Sequence, residues 1–480
     1  MAVARCPVRT HLSLEVADSC KIRPLGGALQ DDGLTMIAHL LPFDAEARFR
    51  VACHLLLFGV GAMCFLGLRS PTAFTVFTLV IMLAFALAPE RTIKPLLREP
   101  LFWLALALFV AVFLRGWLDV SVAEAHGEPT RPDSIWDHAR YGLLVPLLMG
   151  IGFALHWRYR YGLMLLIGLG FFVWVRHEWH AISARWPWPD GPEINYSFSE
   201  GGLIALTLFF LALAGVGAAF TERVRRQRVQ FGVHLVVSVA VAISTLAVVV
   251  VSHSRSAYVT AAFTLLVVAI VAGCYSWLRG DRRERRIVGA TLGAGAVLVL
   301  LTSLLAADFL LDKLDRYQGV VIDIVSGEVF RSGIPDDSGW VRAHLVLQGL
   351  LDTAERPWIG HGPSSVRYMV DDRFGVGAPA GDGDYHNTYI NFAVAMGAPW
   401  ALLWIAGHVW AIGRAMRHVL VVERDLVMAL AIFGMAVAHF TNASFQLRIW
   451  SGYNSTAVYL FLMMIVCATV WRSVFSRQRV

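Results

Sequence analysis

The sequence predicts an all-α integral membrane protein with about twelve spanning helices and one large, partly helical extracytoplasmic loop. Three observations lead there. Hydrophobic residues make up 57% of the 480 and charged residues 16%, against about 25% charged in ordinary soluble domains. The apolar residues fall in blocks of about 18 to 24, the length that crosses a bilayer's hydrocarbon. The loops between the blocks alternate between strongly basic and poor in Lys and Arg, the charge bias of a polytopic chain.

Taken in order, the blocks place spans at 51–68, 71–89, 100–119, 139–156, 159–176, 200–220, 229–251, 256–278, 287–308, 387–411, 425–445 and 454–471. Residues 1–50 read as a cytoplasmic N-terminal tail. They carry Arg5, Arg9, Lys21 and Arg23 with no adequate apolar run before Leu34, so no secretory signal is expected, and Met36 is an alternative start. Residues 51–308 hold the first nine spans, 309–386 the large loop, 387–471 the last three spans, and 472–480 a second cytoplasmic tail.

Charge sets the orientation. An even number of spans puts both termini on one side. The loops of that side carry Arg91, Lys94 and Arg98; Arg158 and Arg160; Arg223, Arg225, Arg226 and Arg228; Arg279, Arg282, Arg283, Arg285 and Arg286; and Arg414, Arg417 and Arg424. The opposite short loops hold Asp133, Asp137, Glu178, Asp190 and Glu193 instead. Basic loops stay in the cytoplasm, so the termini are expected there and 309–386 outside. The net charge of +6 then needs no nucleic acid; a basic face beside anionic lipid explains it.

Several classes of chemistry are excluded. Cys6 and Cys20 lie in the tail, and Cys53, Cys64, Cys274 and Cys467 lie inside spans, so the outward loops have no disulfide framework. No metal-ligand spacing, Walker motif, dinucleotide fingerprint or paired CxxC is present, and no cofactor is expected.

The candidate chemistry gathers at the outer boundary. Within the loop, Gly339–Glu355 has apolar residues at Val341, Leu345, Leu347, Leu350 and Leu351, which is helical spacing, and Pro357 ends it. The turn Arg356-Pro-Trp-Ile-Gly-His-Gly-Pro363 follows, its glycines permitting close backbone approach. Arg255 sits in the short outward turn Ser252–Ser256, where a guanidinium either snorkels to the interface or grips an anion by its bidentate fork. Arg115, Arg140, Arg176 and Arg342 also run against the charge bias, and such arginines are functional candidates. Arg140, at the outer start of a span, is the second anion candidate, while Arg115 and Arg176 are expected to cap span ends. His386 joins the acidic stretch Gly375–Asp384 to the next span. A loop histidine is either simply solvated or, near neutral pH, a proton acceptor for a hydroxyl, with His361 and His344 as competitors.

These residues together resemble the O-antigen ligase and polymerase superfamily. The resemblance rests on Ser254-Arg255-Ser256-Ala257-Tyr258 opening a span, Arg342 ahead of Arg356-Pro357, Gly360-His361-Gly362-Pro363, and His386-Asn387-Thr388-Tyr389 opening the next span, over roughly residues 230–445. Trp340-Val341 departs from the family's more usual glycine before the loop arginine. The resemblance implies a GT-C-like, metal-independent, inverting glycosyltransferase of the bacterial inner membrane, with its site on the periplasmic face. Its donor would be a glycan on undecaprenyl diphosphate and its acceptor lipid A-core. His386 would be the general base, and Arg255 and Arg342, with Arg140, would hold the diphosphate. A polymerase or a protein O-oligosaccharyltransferase of the same superfamily is the first alternative. A polytopic transporter or flippase is the second, against which stand the absence of an internal repeat and the clustering of ionisable residues at one boundary.

Overall fold

The computed structural model describes residues 44–66, 71–126, 135, 138–139, 142–155, 205–213, 215, 228–251, 255–279, 285, 289, 293, 326, 338–366, 369–370, 385–445 and 453–477. The expected span at 159–176, most of those at 200–220 and 287–308, the start of the tail, and the stretches 309–325 and 371–384 of the loop lie outside them. Among the described residues the regular structure is helical, with no strand.

The first described helices are α1 (Ala45–Leu66) and α2 (Pro71–Leu87), two apolar helices packed against each other. The basic loop expected after them is instead a short helix, α3 (Pro89–Leu97). Proline opens it, Glu90 lies in its first turn and Lys94 in its last, each favourable to the helix dipole. Arg91 of α3 donates to Glu46 of α1 at 2.7 Å, which holds the start of α1 and the end of α2 on one side. Next come α4 (Pro100–His126), α5 (Leu144–Leu155), α6 (Arg228–Val251) and α7 (Arg255–Arg279). The loop contributes α8 (Ser338–Glu355). The last part is α9 (Thr388–Met396), α10 (Ala398–Arg417), α11 (Leu426–Phe445) and α12 (Tyr453–Arg477), with a π-turn at His418–Glu423 between α10 and α11. Among the described residues, three stretches are long and apolar enough to cross a membrane: Pro100–Ala125 of α4, Tyr258–Leu278 of α7 and Leu426–Ser444 of α11.

The core forms where small residues let helices approach. Residues 462–471 of α12 are buried on every face. A Cβ on Gly150 of α5 would lie 2.8 Å from the backbone nitrogen of Ala468, so only glycine lets α5 lie flush on α12. The Trp471 indole donates to the Leu147 carbonyl at 2.9 Å across the same contact. On the other side of α5, Gly152 meets Leu56 of α1 in the same way.

The span expected at 387–411 is broken at Gly397, whose φ of 93° ends α9 and starts α10. The break is made by the loop. The Ala398 nitrogen donates to the Pro357 carbonyl at 2.7 Å, and a Cβ on Gly397 would lie 2.5 Å from the Trp358 backbone. Glycine meets both demands, a positive φ and a close approach.

Helices α4 and α10 are joined at both ends. At one end the buried Glu99 carboxylate takes the Arg414 guanidinium in a two-pronged pair. At the other, Arg115 and Asp119 of α4 hold the same loop turn whose Pro357 pairs with Ala398. Glu99 to Arg115 and Ala398 to Arg414 are equal steps along their chains, each about 24 Å of helix.

Gly150→Val is expected to force α5 off α12 and remove most of the folded, monodisperse protein. Fluorescence-detected size exclusion in detergent would read this, with Gly413→Val as the comparison, because a Cβ there meets nothing within 4 Å.

Candidate functional site

The site is built around a turn that should not be stable by itself. His386 has a φ of 46°, a left-handed conformation that disfavours any side chain with a Cβ by about 1–2 kcal/mol. The residues on both sides supply the restraint. Asn387 caps α9, its Oδ1 accepting from the nitrogens of Tyr389 and Ile390 at 3.0 and 3.1 Å. Its Nδ2 donates to the Ser444 carbonyl at 3.2 Å, at the end of α11. The Tyr389 hydroxyl donates to the Phe440 carbonyl at 2.8 Å one turn earlier on α11.

On the other side stands Tyr385, fully buried. Its hydroxyl donates to Asp352 Oδ2 of α8 at 2.5 Å, and its nitrogen donates to Asn391 Oδ1 at 3.3 Å. Asp352 is itself fully buried, and Gln348 donates to its Oδ1 at 2.9 Å. Gly349 lets α8 lie against this tyrosine, since a Cβ there would fall 2.9 Å from its ring. The helical spacing read in Gly339–Glu355 thus corresponds to a helix. Leu350 and Leu351 are exposed, while the buried stripe is Leu345, Gly349 and Asp352. Arg342 lies two turns before Gly349 in the same register.

His361 is separated from His386 by what its ring does. Its Nε2 lies 2.8 Å from the Asp352 carbonyl, which can only accept, so that nitrogen carries a proton and donates. Its backbone nitrogen donates to the Val394 carbonyl at 2.7 Å. His361 therefore pins the Gly-rich turn to α8 and α9. His344 lies on α8 with its Nδ1 buried and without a hydrogen-bond partner. His386 is half-buried, between loop and span.

Arg115 does not cap a span end. Helix α4 runs on to His126, and the guanidinium turns instead to the loop, donating to the Ile359 carbonyl at 3.0 Å and the Gly360 carbonyl at 3.1 Å. One turn further on, buried Asp119 accepts from the Ser364 nitrogen at 3.0 Å, from the Ser364 hydroxyl, and from the Ser365 hydroxyl at 2.8 Å. A Cβ on Gly362 would collide with this carboxylate.

The remaining site candidates are placed less fully. Arg255 is the first residue of α7, which packs along α11, the helix that holds Asn387. The side chains of Arg255 and Arg342, and all of Arg140 and Arg176, lie outside the described residues. The joined elements are therefore α8 with the His386 turn, and that turn with α11.

Two polar groupings within the helices escaped the sequence reading. Buried Thr260 and Thr264 of α7 have hydroxyls without partners, as do both ring nitrogens of His439 and Oδ1 of Asn442 on the packed α11. Beside them, His408 Nδ1 lies 2.7 Å from the Trp404 carbonyl and so donates, leaving Nε2 to accept from the Tyr459 hydroxyl at 2.6 Å. The signal available for them was a histidine inside an apolar block; for Asp119 and Arg115 it was an acid and a base four apart in a span.

Residues 240–405 match the model of the Wzy_C family, described as O-antigen ligase. The matched segment runs from α6 into α10 and includes Arg255, Arg342 and His386. It agrees with the resemblance drawn from the motifs. No curated protein matches the chain.

Tyr385→Phe leaves the buried Asp352 carboxylate without that donor, a loss of about 1–3 kcal/mol. A lower melting temperature and faster amide exchange across 385–388 are expected in hydrogen-exchange mass spectrometry. Unchanged exchange there would show that the turn is held by the Asn387 cap alone.

Proposed function

We propose that this chain is an O-antigen ligase, a membrane glycosyltransferase that moves polysaccharide from undecaprenyl diphosphate to lipid A-core on the periplasmic face of the bacterial inner membrane. The observation that carries this reading is the family match over 240–405, a range that contains Arg255, Arg342 and His386. It is supported by the anchoring of His386 in a left-handed turn between loop and span.

The chemistry follows from the substrate. The acceptor sugar hydroxyl attacks the anomeric carbon of the donor, and the bond from that carbon to the diphosphate oxygen breaks. His386 takes the hydroxyl proton, and the lipid diphosphate leaves with the bonding electrons. Attack opposite the leaving group inverts the anomeric centre. General-base help of this kind is worth about 10²–10⁴ in rate. Arg255 and Arg342, joined by Arg140, meet the charge that grows on the leaving oxygen. Guanidinium groups suit this because they stay charged and bind phosphate oxygens two at a time. Fixed donors aimed at developing charge are worth as much as the base or more. No metal step enters, and the energy comes from the glycosyl diphosphate bond. Helix α8, with Arg342 in its register, reaches the His386 turn through Asp352 and Tyr385, which supports one shared centre for base and anion site.

Purified protein in nanodiscs, given lipid-linked glycan with lipid A-core, with a serine peptide, or alone, separates ligase from protein glycosyltransferase and polymerase. Transfer only to lipid A-core is expected. His386→Ala is expected to lower kcat about 10²–10⁴-fold. Arg255→Ala is expected to lose about 10²–10³-fold, the size of a lost oxyanion donor, while still inserting into membrane. Normal ligation by either variant would remove that residue's role. Chelation by EDTA is expected to leave the rate unchanged; inhibition reversed by a divalent ion would overturn the metal-free scheme.

A further inference from the structure

We infer that the Arg356–Gly360 turn of the long loop re-enters the bilayer and rests in the hydrocarbon of the leaflet on its own side, with Trp358 and Ile359 against acyl chains. The inference rests on depth, exposure and hydrogen bonding, and does not depend on the glycosyl-transfer reading.

Depth comes from α4. Its exposed apolar residues run from Trp103 through Val110, Leu114, Trp117 and Leu118 to Val122. That stripe is about 28 Å long, close to the roughly 30 Å of a bilayer's hydrocarbon core. Arg115 binds the turn's carbonyls about 10 Å short of the stripe's far end. Asp119, nearer that end, binds Ser364 and Ser365, so the chain descends along α4 as it runs back from Ser365 to Ile359. Helix α10 gives a second ruler: Ala398, paired to Pro357, is about 24 Å from the Arg414–Glu99 end. Both helices place the turn below the top of the lipid-facing belt.

At that depth the turn displays apolar side chains. Trp358 is 74% exposed and Ile359 62%, and on α8, the helix that leads into the turn, Leu350 and Leu351 are 53% and 60% exposed. On α4, two residues beyond Arg115, Trp117 is 67% exposed. Arg356 is exposed, and its stem is long enough to carry the guanidinium toward the headgroups. Glu355 turns back toward His361 at 4.0 Å.

The backbone is the independent observation. Irregular chain at membrane depth is tolerated only where protein groups satisfy its polar atoms. Here the Pro357 carbonyl takes Ala398, those of Ile359 and Gly360 take Arg115, and the nitrogens of Gly360, His361 and Gly362 go to Arg356, Val394 and Ala395. A turn bathed in water has no need of a span's arginine for its carbonyls.

The test uses the full chain, with native cysteines kept, in nanodiscs of phosphatidylethanolamine and phosphatidylglycerol. A genetically encoded keto amino acid at Ile359, and separately at Trp358, carries a spin label. Labels at Leu114, Val122 and Glu124 of α4 calibrate depth by collision with oxygen and a water-soluble nickel chelate. Expected at 358 and 359 are oxygen-dominated collisions, at a depth between the Leu114 and Val122 labels. Nickel collisions as frequent as at Glu124 would put the turn in water, and low access to both reagents would mean that protein covers it. Either result overturns the inference.

Discussion

Two side chains one helical turn apart, Arg115 and Asp119, hold the rest of the site in place. Between them they bind carbonyls, a nitrogen and hydroxyls of the turn from Ile359 to Ser365. That turn is wedged so closely that Gly360, Gly362 and Gly397 each lack room for a Cβ. Once it is fixed, α8 must end and α10 must begin where they do. The grip also fixes the level at which the loop meets the helices, since α4 is itself locked to α10 by Glu99 and Arg414 at its other end. A charged pair within an apolar helix is otherwise unfavourable, and here each charge has hydrogen-bonding work that lipid cannot do.

From this wedge the restraint passes to the histidine. His361 holds the carbonyl of Asp352, the carboxylate of Asp352 holds Tyr385, and Tyr385 is the residue before His386. The Asn387 cap and its bond to Ser444 close the other side. A left-handed histidine is retained only when its surroundings over-determine it, and two anchored neighbours do so. In the proposed role of His386 as general base, which requires reaching a hydroxyl at hydrogen-bond distance, such fixing would matter as much as basicity.

The helices behind the site are less well satisfied. The partnerless hydroxyls of Thr260 and Thr264, with His439 and Asn442, lie buried on two packed helices, one of which begins at Arg255. Burying such groups without partners weakens a contact relative to an apolar one. The α5–α12 contact, made by glycine against backbone, shows the opposite design. The two contacts thus differ in kind: α5 meets α12 by close backbone approach, whereas α7 and α11 bury polar atoms without partners.

The amino-acid sequence alone determined what depends on local composition and period. Apolar block length placed α4, α7 and α11, and the 3.6-residue period with Pro357 bounded α8. The order of Arg255, Arg342 and His386 pointed to the same family as the match over 240–405. Tertiary structure decided everything that depends on which groups meet. Arg115 reads as the end of a span until a loop more than two hundred residues away supplies carbonyls for it. The face of α8 could not be read, because its buried stripe is set by Tyr385 and a glycine rather than by leucines. The break at Gly397 likewise needs Pro357 and Trp358 beside it. Hydrophobic period reports how a segment divides lipid or water from protein; hydrogen bonds between distant segments leave no period, and they fix the site.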